Sequence, residues 1–251
     1  MDTLDILNKE FLTQNFAVGQ PYVETLDMYK GIACNYARIE NAIAVLSDLR
    51  TNASYIYYGG FSRMLGIGTC GKECKVSSIW EEDIFGLIHP DDLSAKHLQE
   101  LCFFHFIKRQ PKRQRADYYL MSKLRMKCGT NRYIPVQHRM FYVSVPSDDT
   151  LWLALCLYNP LFVDIPARCV VVNSANGQVI ELDMRNNEKI LSAREKQVLN
   201  LIDKGLISKE IAAALSISIN TVSRHRQEIL SKLQVKNSIE ACRIAKDLKL
   251  L

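Results

Sequence analysis

The pattern of hydrophobic and polar positions divides the chain into a region of mixed strands and helices and a region of short helices. Near Leu124 and Met126, apolar side chains alternate with the charged residues Lys123, Arg125 and Lys127, and this period of two predicts a half-buried strand. Within residues 191–235, apolar side chains instead recur at steps of three and four, as on an amphipathic helix. The sequence therefore predicts an α+β region followed by an all-α region.

The α+β region is expected at residues 41–160. A short helix at Phe61–Gly66 ends at a glycine, and a longer helix runs from about Asp92 to Arg109. The predicted strands flank these helices in the order Ala42–Leu49, Ser54–Tyr58, Tyr118–Cys128, Arg132–Val145 and Thr150–Tyr158.

This order of elements resembles a PAS sensor domain. The most specific local match is Gly86-Leu-Ile-His-Pro-Asp-Asp-Leu93, in which we interpret His89 as structural, and Phe61–Gly66 supports it. The resemblance implies a PAS-like five-stranded antiparallel sheet with helices around a small cavity, used for sensing or for dimerisation.

The sequence favours no cofactor for such a cavity. It lacks the Asn-Cys-Arg-Phe type of helix of flavin-binding PAS domains. His105 lies among phenylalanines roughly where some haem-binding PAS domains place their iron ligand, but such a histidine is more often a core residue. Cys70 and Cys74 form a close pair without further ligands, so no metal is expected. We expect either an apolar small-molecule ligand or none.

The flanking segments connect and extend this region. The N-terminal segment 1–40 predicts helices, and apolar residues from Tyr22 to Tyr36 recur at helix-seam spacing. This helix is equally compatible with a dimer seam and with packing across the next domain. Residues 161–188 predict a hairpin, Arg168–Val172 and Gln178–Leu182 around Asn176-Gly177, followed by a polar joint at Asp183–Glu188. The basic run Lys108–Arg115 is expected to be solvated.

Residues 189–251, which contain the predicted all-α region, have clear sequence features of helix starts and helix ends. Ser192 and Glu195 form a capping box at the start of a first helix, and Gly205 is expected to end that helix in the left-handed conformation. Ser208 is expected to cap a second helix. A turn at Ser216–Asn220 leads to a third helix. That helix has an apolar stripe at Val222, Ile229 and Leu233 and an opposite polar face with Ser223, Arg224 and Gln227.

Residues 189–251 resemble the DNA-binding domain of LuxR/NarL/GerE-type bacterial regulators. The resemblance implies a four-helix helix-turn-helix domain whose last helix, within Lys236–Leu251, often pairs two copies on DNA. Ser223 departs from the lysine that is usual in the family, which leaves the base preference open. Ser238 departs from the usual arginine, which is expected to affect packing only, because Asn237 and Ser238 still make a good cap for the last helix. The matching residues are Leu191, Ser192, Arg194, Glu195, Val198, Leu199, Gly205, Lys209, Glu210, Ile211, Ala212, Leu215, Ile217, Ser218, Thr221, Val222, His225, Ile229, Lys232, Leu233 and Val235.

The excess of basic over acidic residues is confined to this region. Residues 188–251 contain 12 Lys and Arg against 7 Asp and Glu, whereas the rest of the chain is balanced at 20 of each. A basic excess confined to one domain is expected if that domain meets the phosphates of double-stranded DNA. We expect phosphate contacts from the helix N-termini, Lys209, Thr221 and His225, with His225 and Arg226 at the flanks of the third helix. Arg224, Gln227 and Ser223 on that helix are expected to read base edges. The predicted DNA-binding residues are Lys209, Ser218, Asn220, Thr221, Ser223, Arg224, His225, Arg226 and Gln227.

Together these patterns predict a homodimeric, sequence-specific transcription regulator, with RNA polymerase as a further candidate partner. Two alternatives stay open: a ligand or haem sensor whose DNA domain is secondary, and a protein-interaction module that docks on transcription machinery. No phosphate-binding glycine loop, metal cluster or nucleophile elbow indicates an enzyme. Met1–Asp5 lacks the features of a signal peptide, and the apolar run Leu151–Tyr158 is too short to span a membrane, so we expect a cytoplasmic protein.

Overall fold

The computed structural model describes residues 3–130, 132–144, 150–162, 169–181, 191–233, 235, 237–247 and 251. The chain divides into two compact units. One unit is Leu7–Leu182, whose described residues we call the sheet unit. The other comprises Met1–Ile6 and Asp183–Leu251, and we call its described residues within Asp183–Leu251 the helical unit. The predicted joint Asp183–Glu188 lies outside the described residues, and the predicted domain boundaries at residues 40, 160 and 188 stay predictions.

The described residues of the sheet unit form one antiparallel sheet of eight strands rather than the five that the sequence predicted. Its order is β3-β2-β1-β6-β5-β4-β7-β8. The five predicted strands are the central ones, β2, β1, β6, β5 and β4, and their existence is confirmed. The strands are β1 (Ile43–Asp48), β2 (Ala53–Tyr58), β3 (Glu73–Val76), β4 (Tyr118–Lys127), β5 (Tyr133–Ser144), β6 (Leu153–Pro160), β7 (Cys169–Asn173) and β8 (Val179–Glu181).

The additional strands have two origins. The predicted hairpin is present as β7 and β8, but β7 pairs with β4, from Tyr118 opposite Asn173 to Ser122 opposite Cys169, and so extends the sheet. Backbone pairing of this kind leaves no signal in the sequence of either strand. At the other edge, β3 pairs with β2, although its side chains are too exposed to give a hydrophobic pattern.

The helices of this part of the chain follow the predictions closely. The short helix ends at Gly66, whose φ is 75°. The long helix begins at Pro90 rather than Asp92, because proline suits the first helical turn and His89 Nδ1 accepts a hydrogen bond from Asp91 N (3.3 Å). The helices are α1 (Thr3–Leu12), α2 (Tyr22–Ile39), α3 (Phe61–Leu65), α4 (Glu82–Phe85), α5 (Pro90–Arg109) and a 3-10 helix (Lys112–Asp117).

Helix α2 covers one face of the sheet. Ala33 and Ala37 are buried in a cluster with Leu46, Leu155 and other side chains of β1, β2 and β6. Of the two alternatives for this helix, packing across the neighbouring domain is confirmed, and a role in dimerisation stays a prediction. Helix α5 packs over β5, where Phe103 stacks on Tyr142 with ring centroids 5.5 Å apart.

The turn between β1 and β2 is built around one carboxylate. Asp48, fully buried, accepts hydrogen bonds from Arg50 N (2.9 Å), from Thr51 Oγ1 (2.7 Å) and from Trp152 Nε1 (2.7 Å). Asn52 then takes a φ of 51°, a conformation that asparagine tolerates better than most residues. This turn ties β1 to β6 as well as to β2.

One expectation about side chains needs correction. The basic run after α5 is not fully solvated, because Arg115 is buried and its guanidinium donates to Lys108 O (3.0 Å) and Gln110 O (3.1 Å). His105 is half-buried on α5 beside Phe104. No helix in the described part of the chain is both long and apolar enough to cross a membrane.

Candidate nucleic-acid interface

The first helix of the helical unit, α6 (Ala193–Asp203), has both ends fixed locally. Glu195 N donates to Ser192 Oγ (3.2 Å) and Ser192 N donates to Glu195 Oε2 (2.6 Å). This is the predicted capping box. Gly205 follows the helix with a φ of 86° and confirms the predicted left-handed stop. The helix contributes the fully buried Val198 and Leu199 to the core.

The second helix, α7 (Ser208–Leu215), is not capped as predicted. Ser208 is its first residue, and the preceding Ile207 provides the cap position. The backbone N–H of Ile207 donates to Glu210 Oε2 at 2.9 Å, so the acidic residue in the first turn satisfies this donor. The Ser208 hydroxyl is thereby available to a neighbouring helix.

A three-residue turn leads into the third helix, α8 (Ile219–Leu233). Ser216 ends α7 in the left-handed conformation, and Ser218 Oγ accepts from Thr221 N at 3.1 Å. Ser218 therefore caps α8, since serine at this position satisfies a free N–H of the first turn. The turn is shorter than the predicted Ser216–Asn220, and Asn220 belongs to the helix.

Helix α8 has a buried and an exposed side. Val222 and Ile229 are buried in the core of the helical unit, as predicted, whereas the side chain of Leu233 lies outside the described residues. The fully solvent-facing polar residues recur at helical spacing and share one face, which we call the outer face of α8. It consists of Asn220, Ser223, Arg224 and Gln227.

Arg224, one of the predicted base-reading residues, projects into solvent. Its side chain is 74% exposed, and its Nε donates to Glu228 Oε1 at 3.0 Å. An exposed pair at this spacing contributes only about 0.3–0.5 kcal/mol. The guanidinium can therefore exchange Glu228 for a base edge or a phosphate at little cost.

The side chain of His225 does not belong to the outer face of α8. Its side chain is only 14% exposed, and its Nδ1 lies 3.4 Å from Glu228 Oε2. Its ring also lies near the buried carboxylate of Glu195. The predicted phosphate contact of His225 stays a prediction, but most of the ring is covered within the helical unit.

Arg226 was also predicted to lie at the flank of the third helix, near DNA phosphates. In the structure its side chain connects three helices. Its Nη1 donates to Ser208 Oγ (2.9 Å) at the start of α7, and its Nη2 donates to Ser238 Oγ (3.1 Å) at the start of the next helix. The sequence did not indicate this role, since the three residues have no common motif. Any contact of Arg226 with DNA stays a prediction.

The remaining helix, α9 (Ser238–Asp247), begins at the predicted cap, where Asn237 Oδ1 accepts from Glu240 N at 2.9 Å.

Lys209 is exposed in the first turn of α7, as a phosphate contact requires. Arg194, which the sequence did not single out for a structural role, donates to Leu215 O at 2.6 Å. A cation at this carbonyl satisfies the C-terminal end of α7.

The sheet unit contains a second concentration of polar groups, which the sequence did not indicate as a site. Lys96 and Glu100 of α5 are buried, with Nζ 2.6 Å from Oε1. Burial lowers the pKa of Lys96, but the Glu100 carboxylate outweighs it, so the pKa is raised. Nearby, Glu81 accepts from Ser54 Oγ at 2.7 Å, and burial raises the pKa of Glu81 to about 7.

Comparison with known proteins places the helical unit in a family. Residues 189–245 match the family described as "Bacterial regulatory proteins, luxR family", so the C-terminal region carries a LuxR-type helix-turn-helix domain. The match covers the capping box of α6, the outer face of α8 and most of α9. The resemblance noted from the sequence is thereby confirmed for this region.

Similar curated proteins are regulators. The "Oxygen regulatory protein NreC" of Staphylococcus haemolyticus is 33% identical over 111 residues, which are 43% of this chain and 51% of that protein. The protein of the same name in Staphylococcus aureus strain JH9 is 37% identical over 92 residues, 36% of this chain and 42% of that protein. The chain spans about half the length of the curated relatives it matches.

Solved structures give weaker likenesses. The Vibrio cholerae VqmA dimer in the absence of target DNA is 14% identical, with a TM-score of 0.29, over 90% of this chain and 87% of that one. Escherichia coli SdiA is 16% identical, with a TM-score of 0.25, over 99% and 97%. Likenesses at this level do not define a function for this chain.

Proposed function

We propose that this protein is a sequence-specific DNA-binding transcriptional regulator that places the outer face of α8 in the major groove. The observation that carries the proposal is the geometry of α8. Asn220, Ser223, Arg224 and Gln227 share a solvent-facing side, opposite the buried Val222 and Ile229. Side chains of these types have the hydrogen-bonding groups that read base edges. The luxR family match over residues 189–245 supports the same conclusion.

The two kinds of contact fall on different residues. Lys209 and Thr221 lie in the first turns of α7 and α8, where free backbone N–H groups and the helix dipole favour a phosphate. Arg224, Gln227 and Ser223 read bases, with Arg224 suited to a guanine. Ser218 caps the start of α8, Asn220 shares the outer face with the base-reading residues, and His225 and Arg226 support the helix from within the unit.

The sheet unit, in this proposal, is a PAS-like sensor within a homodimer. The spatial order of the central strands, β2-β1-β6-β5-β4, supports the PAS-like assignment. So does the position of α3, α4 and α5 between β2 and β4 along the chain. Two copies of the helical unit would bind two half-sites related by the symmetry of the dimer. RNA polymerase stays a candidate partner, and the site of action would be the cytoplasm.

The decisive experiment compares Arg224→Ala with the wild type on a library of randomised duplexes. We expect the variant to lose preference at one base position and to bind the selected site about 1–3 kcal/mol more weakly. The matched control is Lys204→Ala, which removes an exposed cation beyond the end of α6 and should leave the preference intact. Equal weakening on every sequence would contradict the role of Arg224.

A second candidate function, docking of the helical unit on a protein of the transcription machinery, is distinguished by salt. Binding to duplex DNA through several phosphate contacts weakens steeply and linearly on a log–log plot as salt increases. We expect this steep dependence for the full-length protein. Binding to duplex that hardly changes with salt would favour the docking alternative.

A further inference from the structure

Three potential metal ligands converge inside the sheet unit from three separate elements. Glu100 belongs to α5, His138 to β5 and Cys156 to β6. Their exposed fractions are 3%, 0% and 8%, and their ligand atoms all lie within 4.8 Å of one another. His138 pairs with Tyr158 in the sheet. Cys156 is two residues before Tyr158, so both side chains project from the same face.

The histidine ring is oriented for ligation. Ser122 Oγ lies 3.2 Å from His138 Nδ1, a contact in which the ring can donate its Nδ1 proton to the hydroxyl. A neutral ring that gives its Nδ1 proton to Ser122 leaves a lone pair on Nε2. Hydrogen bonds of this kind fix the tautomer and direction of ligating histidines in metal sites.

The other ring nitrogen lacks a partner in the described structure. His138 Nε2 is buried without a hydrogen bond, and Glu100 Oε1 is 3.9 Å away, too far for one. Two electron-rich atoms therefore face each other in the core. A buried polar group without a partner is destabilising, and a cation between the nitrogen, the carboxylate and the thiol would satisfy it.

Two further groups point to an additional ligand at this place. The hydroxyls of Tyr142 and Tyr158 are buried without hydrogen bonds among the described residues. The Tyr158 ring lies 4.9 Å from the His138 ring between centroids, and Tyr142 is four residues after His138 in β5, so both project from the same face of the sheet. Water or a small anion on an ion held by the three ligands would give these hydroxyls a partner. Three protein ligands with one open position are a common zinc arrangement.

Lys96 does not exclude a cation here. Its ammonium is bonded to Glu100 (2.6 Å), and ligating carboxylates are commonly held by such outer partners. With Glu81, Glu100 and the Cys156 thiol all ionised, Lys96 and one divalent ion would leave the cluster neutral as a whole, as a buried site requires.

From this geometry we propose that Glu100, His138 and Cys156 bind a divalent transition-metal ion. The combination of oxygen, nitrogen and sulfur ligands suits an ion of borderline softness, with Zn²⁺ as the expected occupant. The proposal goes beyond the regulatory function and does not depend on it, since the ligands lie within the sheet unit.

The test uses the full-length protein, stripped of metal with a chelator and titrated with Co²⁺, which reports a thiolate ligand by a near-ultraviolet charge-transfer band. We expect one Co²⁺ per chain, its displacement by Zn²⁺, and loss of the band in Cys156→Ser. The matched control is Cys34→Ser, because Cys34 lies on α2 on the opposite face of the sheet and should leave the band unchanged.

A second variant acts on the histidine without removing a ligand. Ser122→Ala removes the partner of His138 Nδ1 and should weaken Zn²⁺ binding about 10–100-fold, with the thiolate band retained at saturation. The proposal is overturned if wild type binds no Co²⁺, if the band persists in Cys156→Ser, or if it is lost instead in Cys70→Ser or Cys74→Ser. DNA binding is measured on the same samples, so failure of the regulatory proposal is seen separately.

Discussion

The two units of this protein use polar side chains in opposite ways. In the helical unit, polar groups lie mainly at the surface and bond to neighbours in the chain, as in the Ser218 cap of α8 and the Arg224–Glu228 pair. In the sheet unit, Lys96, Glu100 and His138 are enclosed between α5 and the sheet. Surface groups can exchange their partners for DNA, whereas enclosed groups can only be satisfied by each other or by a ligand.

Removing one member of the buried ion pair should have the largest effect. We expect Lys96→Met, measured in metal-free protein, to lower the free energy of unfolding by about 3–5 kcal/mol, because it leaves Glu100 buried without its cation. Trp80 and Trp152 are the protein's two tryptophans, and both lie in the sheet unit. Tryptophan fluorescence during urea unfolding therefore reports this unit alone.

The control for that effect is the double variant Lys96→Met/Glu100→Gln, which removes both charges. It should recover a large part of the lost stability, since a buried pair contributes little beyond the cost of an unpaired charge. If Lys96→Met unfolds at the same urea concentration as the wild type, the buried Lys96–Glu100 pair does not stabilise the sheet unit. That outcome would also weaken the contrast between the two units.

The next largest effect is expected at Arg226. Arg226→Ala removes two hydrogen bonds from a charged donor, to Ser208 and Ser238. It should therefore destabilise the helical unit by about 1.5–3 kcal/mol. Circular dichroism would show earlier loss of helix while tryptophan fluorescence stays unchanged. Arg224→Ala, with an exposed side chain, is the matched comparison and should shift stability by less than about 0.5 kcal/mol.

The smallest effect concerns the start of α6. Ser192→Ala removes the acceptor for Glu195 N and should cost about 1 kcal/mol. Ser192→Asp should retain most of the stability, because aspartate is an equally good cap. Hydrogen exchange of the first amides of α6 would detect the difference. Equal protection in Ser192→Ala and in wild type would show that tertiary packing, rather than the cap, holds this helix end.

Much of the fold was predictable because its signals are local. The capping box, Gly205 and the alternation in β4 each depend on residues close together in the chain, and each is confirmed. Errors arose where partners are distant. Ser208 was expected to cap its own helix, but its hydroxyl accepts from Arg226, and the predicted connecting hairpin joins the sheet edge at β4.

The sequence by itself determined the helix order, the central strands and the family of the helical unit, because each follows from short-range spacing and residue type. It also determined most of the outer face of α8, since Ser223, Arg224 and Gln227 recur at helical intervals, whereas Asn220 was expected in the preceding turn. Only the tertiary structure brought Glu100, His138 and Cys156 together. These residues belong to separate elements whose alignment depends on strand register and helix packing, and no local pattern records that alignment.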